Sequence, residues 1–366
     1  MPESINEFYW FGFSNQKNIT KSNYSEYQLN ATPLIDGRRV ALDEALKQLK
    51  KIIWKRDPIH FDAMNCDQNS LSNILDLAEF SRSSINHQDG NEIYYFYNAL
   101  SIHGGSLISF NELKKRSDLI FFIGYFDSYL IESFFKSTAW KKSKLKDCIH
   151  FFCSDKKKLK DKIFLDFLRN FNELSDLVLN DQVKTKFTEI KKKFEISKYP
   201  VFVLNSKNGA AEINEIFKLS EKLNKKGKKV RLFRFSGENN SSGFVNACIT
   251  KTGFPCSVNF SDWGAYYDPE YYTARVQNKL KSTQLLFSNL ISSPNYIKFE
   301  KNIFVGHPNF SDQRMFNIFI PVKTPGIDTD GLVVRSDGNS ILKLEKKVES
   351  NYPTINQIIH SMVNDG

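Results

Sequence analysis

The densest group of turn-forming and charged residues in this sequence lies in residues 320–338, which read IPVKTPGIDTDGLVVRSDG. An apolar run is followed there by Gly326, Asp330, Gly331, Arg335, Asp337 and Gly338. An arginine held between acidic residues can form a rigid turn through bidentate hydrogen bonds, without any bound molecule. The same side chains could instead hold a polar ligand. The first alternative predicts a role in the fold and in subunit contacts, and the second predicts a binding loop.

Motifs of known enzymes give little support to an active site. The sequence contains no HExxH or HxxEH zinc motif, no Gly-x-Ser-x-Gly elbow and no GxxxxGK[ST] or strand-linked GxGxxG nucleotide motif. His307, in VGHPNF, follows a predicted strand and could act as a base, but the sequence identifies no partner for it. We therefore predict no catalytic residue.

The cysteines are not expected to form disulfides or a metal site. They are Cys66, Cys148, Cys153, Cys248 and Cys256. Their number is odd and no secretion signal is recognisable, which favours reduced thiols. Cys148 and Cys153 lie on one predicted strand at an odd separation, so their side chains point to opposite faces. We expect five buried, reduced cysteines.

A second group of interest is aromatic and lies in the segment DWGAYYDPEYYTAR. It consists of Trp263, Tyr266, Tyr267, Tyr271 and Tyr272. Large amphipathic side chains of this kind are typical of protein interfaces. Packing inside the chain would explain them almost as well. We name them as interface candidates and keep both alternatives.

Composition is that of a globular protein. The 366 residues include 25% charged and 41% hydrophobic residues, which are ordinary values for a folded chain. The net charge of +10 would suit a nucleic-acid partner, but the lysines are mixed with acids and no nucleic-acid motif accompanies them. We find no signal peptide and no apolar run of ~18 residues. The expectation is a cytoplasmic protein that binds neither a membrane nor nucleic acid.

Hydrophobic periodicity predicts alternating helices and strands. After a turn at Gly37, apolar residues recur at helical spacing, and Asp43 and Glu44 fall in the first helical turn, where carboxylates are favourable. The segments SDLIFFIG, KDCIHFFC, YPVFVLNS and KKVRLFRF read as largely buried strands. Between the last two, a helix is marked by Ile213, Ile216, Phe217 and Leu223. The pattern predicts an α/β fold with two Rossmann-like lobes built on parallel sheets.

Several segments, taken in order, resemble the B subunit of formylmethanofuran dehydrogenase, a shortened relative of the molybdopterin oxidoreductases. They are PLIDGRRVALDEAL, NELKKRSDLIFFIG, GENNSSGFVNACITKTGFP, STQLLFSNLISSPNYIKFEKNIFVG and, most specifically, residues 320–338. The resemblance implies a truncated fold of the formate dehydrogenase and DMSO reductase type. Residues 1–50 would be a vestigial iron–sulfur region, 51–198 a first α/β lobe, 199–320 a second lobe, and 321–366 a segment returning to the first.

The thiolates that the family's redox chemistry needs are missing. Similar proteins bind a four-iron four-sulfur cluster through an N-terminal cysteine motif, whereas residues 1–65 contain no cysteine. Similar proteins ligate tungsten or molybdenum with a cysteine or selenocysteine, and the corresponding residues 85–116 contain none. Other groups in that stretch that could bind a metal are His87, Asp89, Glu92 and His103. We interpret them as loop and surface groups, because the electron path would still be missing.

A sequence with these family segments but without the metal-binding cysteines resembles the B subunit of the formyltransferase/hydrolase complex of methylotrophic bacteria. The resemblance implies a non-catalytic scaffold that lacks the pterin metal and the iron–sulfur cluster. In such a complex, the formyltransferase, which is the D subunit, moves a formyl group from tetrahydromethanopterin to a methanofuran-like carrier. The amidohydrolase-like A subunit then releases formate at a metal centre. The partners of this chain would be the A, C and D subunits.

Two other hypotheses remain open. One is an active tungsten or molybdenum formylmethanofuran dehydrogenase B subunit with unusual ligands, and the weaker one is a basic nucleic-acid-binding protein. Under the scaffold hypothesis, residues 320–338 maintain the fold and subunit contacts. The alternative for that segment is a remnant pterin-binding or carrier-binding loop.

Overall fold

The structure, a computed structural model, describes residues 27–55, 57, 59–62, 64–123, 126, 134, 149–152, 181–205, 209–235, 240–270, 283–290, 299–335 and 337–363. The chain divides into two compact units. The larger unit comprises Met1–Tyr94 and Glu238–Gly366, and the smaller unit comprises Tyr95–Gly237. Cys148, Cys153, Tyr271 and Tyr272 lie outside the described residues.

The described part of the chain alternates strands and helices. The strands are β1 Leu34–Ile35, β2 Arg38–Arg39, β3 Ile59–Asp62, β4 Ser84–Ile85, β5 Leu119–Ile123, β6 Ile149–Phe152, β7 Pro200–Asn205, β8 Arg231–Phe235, β9 Val258–Ser261, β10 Gly264–Tyr267, β11 Thr283–Ser288, β12 Lys301–Gly306, β13 Ile318–Pro321, β14 Gly331–Val334 and β15 Ile341–Leu344. The helices are α1 Leu42–Trp54, α2 Gln68–Phe80, α3 Gly90–His103, α4 Phe110–Arg116, α5 Asp181–Ile196, α6 Ala210–Lys225, α7 Ser241–Thr252 and α8 Ile355–Val363.

The larger unit is built on a sheet with the strand order β10-β9-β4-β3-β11-β12-β13-β1-β2. The five central strands, from β4 to β13, are parallel, and an antiparallel hairpin borders them on each side. The β1–β2 hairpin turns at Asp36 and Gly37, whose φ angles are 46° and 77°. Two successive positive φ angles form the type I′ turn that two-residue hairpins favour, so the predicted turn at Gly37 is confirmed.

Helices of the larger unit show why the sequence pattern is helical. Ala45, Leu49 and Ile53 are the buried stripe of α1, and the acidic residues of its first turn lie at the positive end of the helix dipole. Asp67 is the N-cap of α2, and its side chain accepts a hydrogen bond from the Asn69 N–H at 3.2 Å. A short antiparallel pair, β14 with β15, completes this unit.

The smaller unit contains a four-stranded parallel sheet in the order β6-β5-β7-β8. The strand β5 is buried along its whole length, as its unbroken apolar sequence predicts for a parallel strand. The helix α6 buries Ile213, Ile216, Phe217 and Leu223, which confirms the predicted stripe. Together with Phe121 and Phe202, these side chains form one hydrophobic core.

The predicted α/β class is confirmed, but the units do not follow the expected boundaries at residues 198 and 320. The strands β7 and β8 were expected in a second lobe, and they instead pair into the sheet that contains β5. The larger sheet takes strands from both ends of the chain. The physical reason is that local hydrophobic patterns determine where strands form but not which strands pair.

No helix among the described residues is both long enough and apolar enough to span a membrane.

Candidate functional site

Ligands of open α/β sheets bind where parallel strands end. In the larger unit, that region consists of the residues that directly follow β3, β4, β11, β12 and β13. We call it the carboxyl edge. It contains many buried polar side chains, which are Asn65, Asp67, Asn86, His87, Asn289, His307, Thr324 and Asp328. Buried polar groups need hydrogen-bond partners, so the partners show what the edge can do.

Asp67 is saturated by groups of the chain itself. Its Oδ1 accepts hydrogen bonds from Ser70 Oγ at 2.6 Å and from Asn289 Nδ2 at 2.8 Å, and its Oδ2 caps α2 at Asn69. The Asn289 Oδ1 in turn accepts the Asp67 N–H at 3.1 Å. The hydrogen bonds between Asp67 and Asn289 join the end of β11 to the start of α2. The Asp67 carboxylate therefore has a structural role.

Asn240 joins three segments in the same way. It precedes α7 in the left-handed conformation, with a φ of 60°, which asparagine tolerates better than most residues. Its Nδ2 donates to the Cys66 carbonyl oxygen at 2.8 Å, and its Oδ1 accepts the Val334 N–H at 2.7 Å. The side chain therefore connects the loop after β3 to β14. Neither Asn240 nor Asp67 was identified from the sequence.

Asp328 organises the turn between β13 and β14. It is completely buried. Its oxygens accept the Thr324 N–H at 2.5 Å, the Ser350 hydroxyl at 2.6 Å and the Tyr27 hydroxyl at 3.0 Å. Burial, followed by the charge of Asp328, raises the pKa of Tyr27 above its usual range. Three segments far apart in the chain thus meet on a carboxylate that sequence reasoning missed.

The predicted residues of the 320–338 segment fall into two places. Gly326 and Asp330 belong to the turn before β14, and Gly331 is the first residue of that strand, whereas Arg335, Asp337 and Gly338 lie at the tip of the β14–β15 hairpin. Gly326 and Gly338 have φ angles of 80° and 73°, which glycine adopts at no steric cost. The six predicted residues of this segment therefore do not surround a single binding site.

The expected turn, in which an arginine pairs with acidic residues, is present, but only Asp337 of the two acidic residues takes part. Arg335 donates from Nε and Nη2 to the two carboxylate oxygens of Asp337, at 2.8 and 2.6 Å. Asp330 does not take part, because its carboxylate is exposed and accepts the Lys346 N–H at 2.8 Å. The bidentate pair pins the hairpin tip.

Gly331 gives a first test of how closely this turn is packed. A Cβ at this position would lie 2.5 Å from the Cβ of Pro325, so we expect Gly331→Ala to lower the free energy of unfolding by about 2–3 kcal/mol. Gly338→Ala is the matched control, because its Cβ would meet open space and would cost only the left-handed backbone, about 1 kcal/mol. Urea unfolding of both variants measures the difference, and equal losses would contradict the packing argument.

The four groups considered as metal ligands do not form one cluster, although His87 Nδ1 lies 3.8 Å from the Asp89 carboxylate. His87 lies in the loop between β4 and α3, as interpreted, but it is buried and not at the surface. Its Nδ1 accepts the Asp89 N–H at 3.0 Å, and its ring packs on the Phe244 ring. His103 belongs to the smaller unit, where its ring contacts Glu221 at 2.9 Å. Across the described ranges, no three His, Cys, Asp or Glu side chains are grouped so as to hold a metal ion.

Cys66, Cys248 and Cys256 are buried, as expected, and none of these three forms a disulfide within the described part of the chain. Burial raises the pKa of the Cys66 and Cys248 thiols well above their usual range. Such thiols stay protonated near neutral pH and are poor nucleophiles.

Raised pKa values of buried thiols and tyrosines predict a loss of stability in alkali. Above about pH 9, where an unfolded thiol ionises, the unfolded chain binds fewer protons than the folded one, so stability falls as pH rises. Each fully buried thiol adds a slope of about 1.4 kcal/mol per pH unit. Urea unfolding at a series of pH values should show this decline, and Cys66→Ala should reduce it. A stability that stays constant or rises through this range would contradict the burial argument.

The aromatic candidates divide between the two alternatives. Trp263, at the tip of the β9–β10 hairpin, is 98% exposed, and Tyr266 is 47% exposed. Tyr267 instead stacks on Phe254, with ring centroids 5.5 Å apart and planes 8° from parallel. Packing within the chain thus explains Tyr267, whereas Trp263 and Tyr266 are exposed on the β9–β10 hairpin.

Comparison with protein-family models gave no match, and a search of curated proteins also gave none. Among solved structures, this chain is similar to a chain in the crystal structure of the formyltransferase/hydrolase complex FhcABCD from Methylorubrum extorquens, determined in complex with methylofuran. The TM-score is 0.71 and the sequence identity is 16%, over 90% of this chain and 97% of the other. At this identity the similarity establishes a shared fold.

Proposed function

We propose that this chain is a structural subunit, without an active site of its own, of a complex of the formyltransferase/hydrolase type. The observation that carries the proposal is the structural similarity, which extends over 97% of a chain from such a complex. The complex would convert formyl-tetrahydromethanopterin to formate through a methanofuran-like carrier. Its other subunits, of the formyltransferase and amidohydrolase-like kinds, would supply the chemistry.

The absence of an active site in this chain is supported by how its polar groups are used. Asp67 and Asp328 at the carboxyl edge are saturated by hydrogen bonds from the chain itself. Burial raises the pKa of the Cys66 thiol, which makes this thiol a poor nucleophile near neutral pH. The hydrogen bonds of Asp67 and Asp328 favour a structural role for these two carboxylates over cofactor binding.

A structural subunit needs contact surfaces, and the β9–β10 hairpin offers one. A tryptophan that is 98% exposed is covered only when a partner binds. Tryptophan and tyrosine are also the residues on which binding energy concentrates in protein interfaces. We include the pair Trp263 and Tyr266 in the proposal as a subunit contact.

Purification of the tagged protein from its native host tests the proposal. We expect a stable assembly that contains a formyltransferase and an amidohydrolase-like polypeptide. Recovery of this chain alone would contradict the proposal. Stoichiometric tungsten or molybdenum bound to this chain would favour the dehydrogenase alternative instead.

A further inference from the structure

A groove of about 660 Å³ lies on the larger unit beside the β1–β2 hairpin. Its walls are residues 28–32, the hairpin and the turn at 311–315. None of these residues belongs to the carboxyl edge or to the β9–β10 hairpin, so the groove is separate from both surfaces described above.

One wall of the groove is formed by the β1–β2 hairpin, through Leu34, Gly37 and Arg39. Among the described strands of the larger sheet, β2 is the last, and Leu34 lies opposite Arg39. The neighbouring pair is hydrogen-bonded, because the Val40 N–H donates to the Pro33 carbonyl oxygen at 3.0 Å. Hydrogen-bonded and non-bonded pairs alternate along an antiparallel ladder, so the N–H and C=O of Arg39 point away from β1. Within the described residues, no hydrogen bond reaches either group.

The side chains around the groove combine positive charge with apolar surface. Arg39 and Arg314 are exposed and form no ion pair with any described residue, including Asp312, the carboxylate of the lining. Leu29 and Met315 are 47% and 54% exposed. Guanidinium groups bind carboxylates in a bidentate manner, and exposed apolar side chains favour an apolar neighbour.

We propose that this groove binds an extended, acidic segment of a partner polypeptide that also carries an apolar side chain. The segment pairs with Arg39 through its backbone, as a strand added to the sheet edge. Its carboxylates meet the guanidinium groups of Arg39 and Arg314, and its apolar side chain covers Leu29 and Met315. The inference rests on the proposed function only for the identity of the partner, which would be another polypeptide of the complex.

A photo-crosslinking residue in place of Met315, in the tagged full-length protein in its native host, tests the inference. Mass spectrometry of the adduct should identify an acidic segment of a different polypeptide. Arg39→Glu combined with Arg314→Glu should lower the adduct yield about tenfold or more, because charge complementarity is reversed. Lys115→Glu combined with Lys222→Glu makes the same change of charge on exposed residues of the smaller unit and should leave the yield unchanged.

Three outcomes would overturn the inference. They are an adduct with residues 1–26 of the same chain or with a second copy, an adduct with a segment that lacks acidic residues, and an undiminished yield in the arginine variant. Circular dichroism of the Arg39→Glu, Arg314→Glu variant checks that it is folded. Failure here leaves the proposed function standing if the complex still assembles. A lone protein in the purification above would instead refute the proposed function, whatever the crosslink shows.

Discussion

Replacement of Asp328 by alanine should lower the free energy of unfolding by about 3 kcal/mol or more. Its carboxylate is completely buried and accepts hydrogen bonds from Thr324, Ser350 and Tyr27. Without it, the buried Thr324 and Tyr27 donors and the half-buried Ser350 hydroxyl lose their acceptor, and each unsatisfied buried group costs about 1–3 kcal/mol. Urea unfolding followed by circular dichroism measures the loss directly.

Asp330, two residues further on, provides the matched control. It is exposed, and its carboxylate accepts one backbone hydrogen bond, from Lys346. We therefore expect Asp330→Ala to cost about 0.5 kcal/mol. If Asp328→Ala proved no more destabilising than Asp330→Ala, then the turn before β14 would be held by something other than the buried carboxylate.

Replacement of Trp263 by alanine should weaken subunit association about 30-fold, which corresponds to about 2 kcal/mol. The side chain is 98% exposed in the isolated chain, so its removal should change the free energy of unfolding by less than about 0.5 kcal/mol. Dissociation constants of the reconstituted complex, together with urea unfolding of the isolated variants, separate the two quantities.

Trp54 provides the matched control for Trp263, because it is partly exposed but contacts other residues of the chain. It is 44% exposed, its indole N–H donates to the Met362 carbonyl oxygen at 3.0 Å, and its ring packs against Phe80. Trp54→Ala should cost stability, about 1–3 kcal/mol, and leave association unchanged. A Trp263→Ala variant that binds its partners with undiminished affinity would remove the β9–β10 hairpin from the interface.

The sequence was informative wherever the physics is local. Alternation of apolar segments predicted the α/β class, and helical spacing predicted the buried stripe of α6 with Ile213 and Phe217. A turn was also predicted at Gly37, and the structure has a two-residue loop there with positive φ angles. The pairing of Arg335 with Asp337 was also accessible, because the two residues are close in sequence.

Interactions between distant segments could not be predicted in this way. Asp328 is defined by Tyr27 and Ser350, which approach it only in the folded chain. Asn240 likewise gains its role from Cys66 and Val334. Its position before Ser-Ser-Gly at the start of α7 was a usable signal, because asparagine tolerates the left-handed conformation. The boundaries of the two units depend on strand pairing across the whole chain, which short-range patterns do not encode.

Native mass spectrometry of the complex isolated through this chain tests the central claim most directly, because one spectrum gives both subunit composition and bound cofactors. We predict an assembly in which this chain accompanies formyltransferase and amidohydrolase-like subunits, and in which its own mass after dissociation equals that of the bare polypeptide. A chain found alone, or one that carries the mass of a pterin-bound tungsten or molybdenum, would contradict the account.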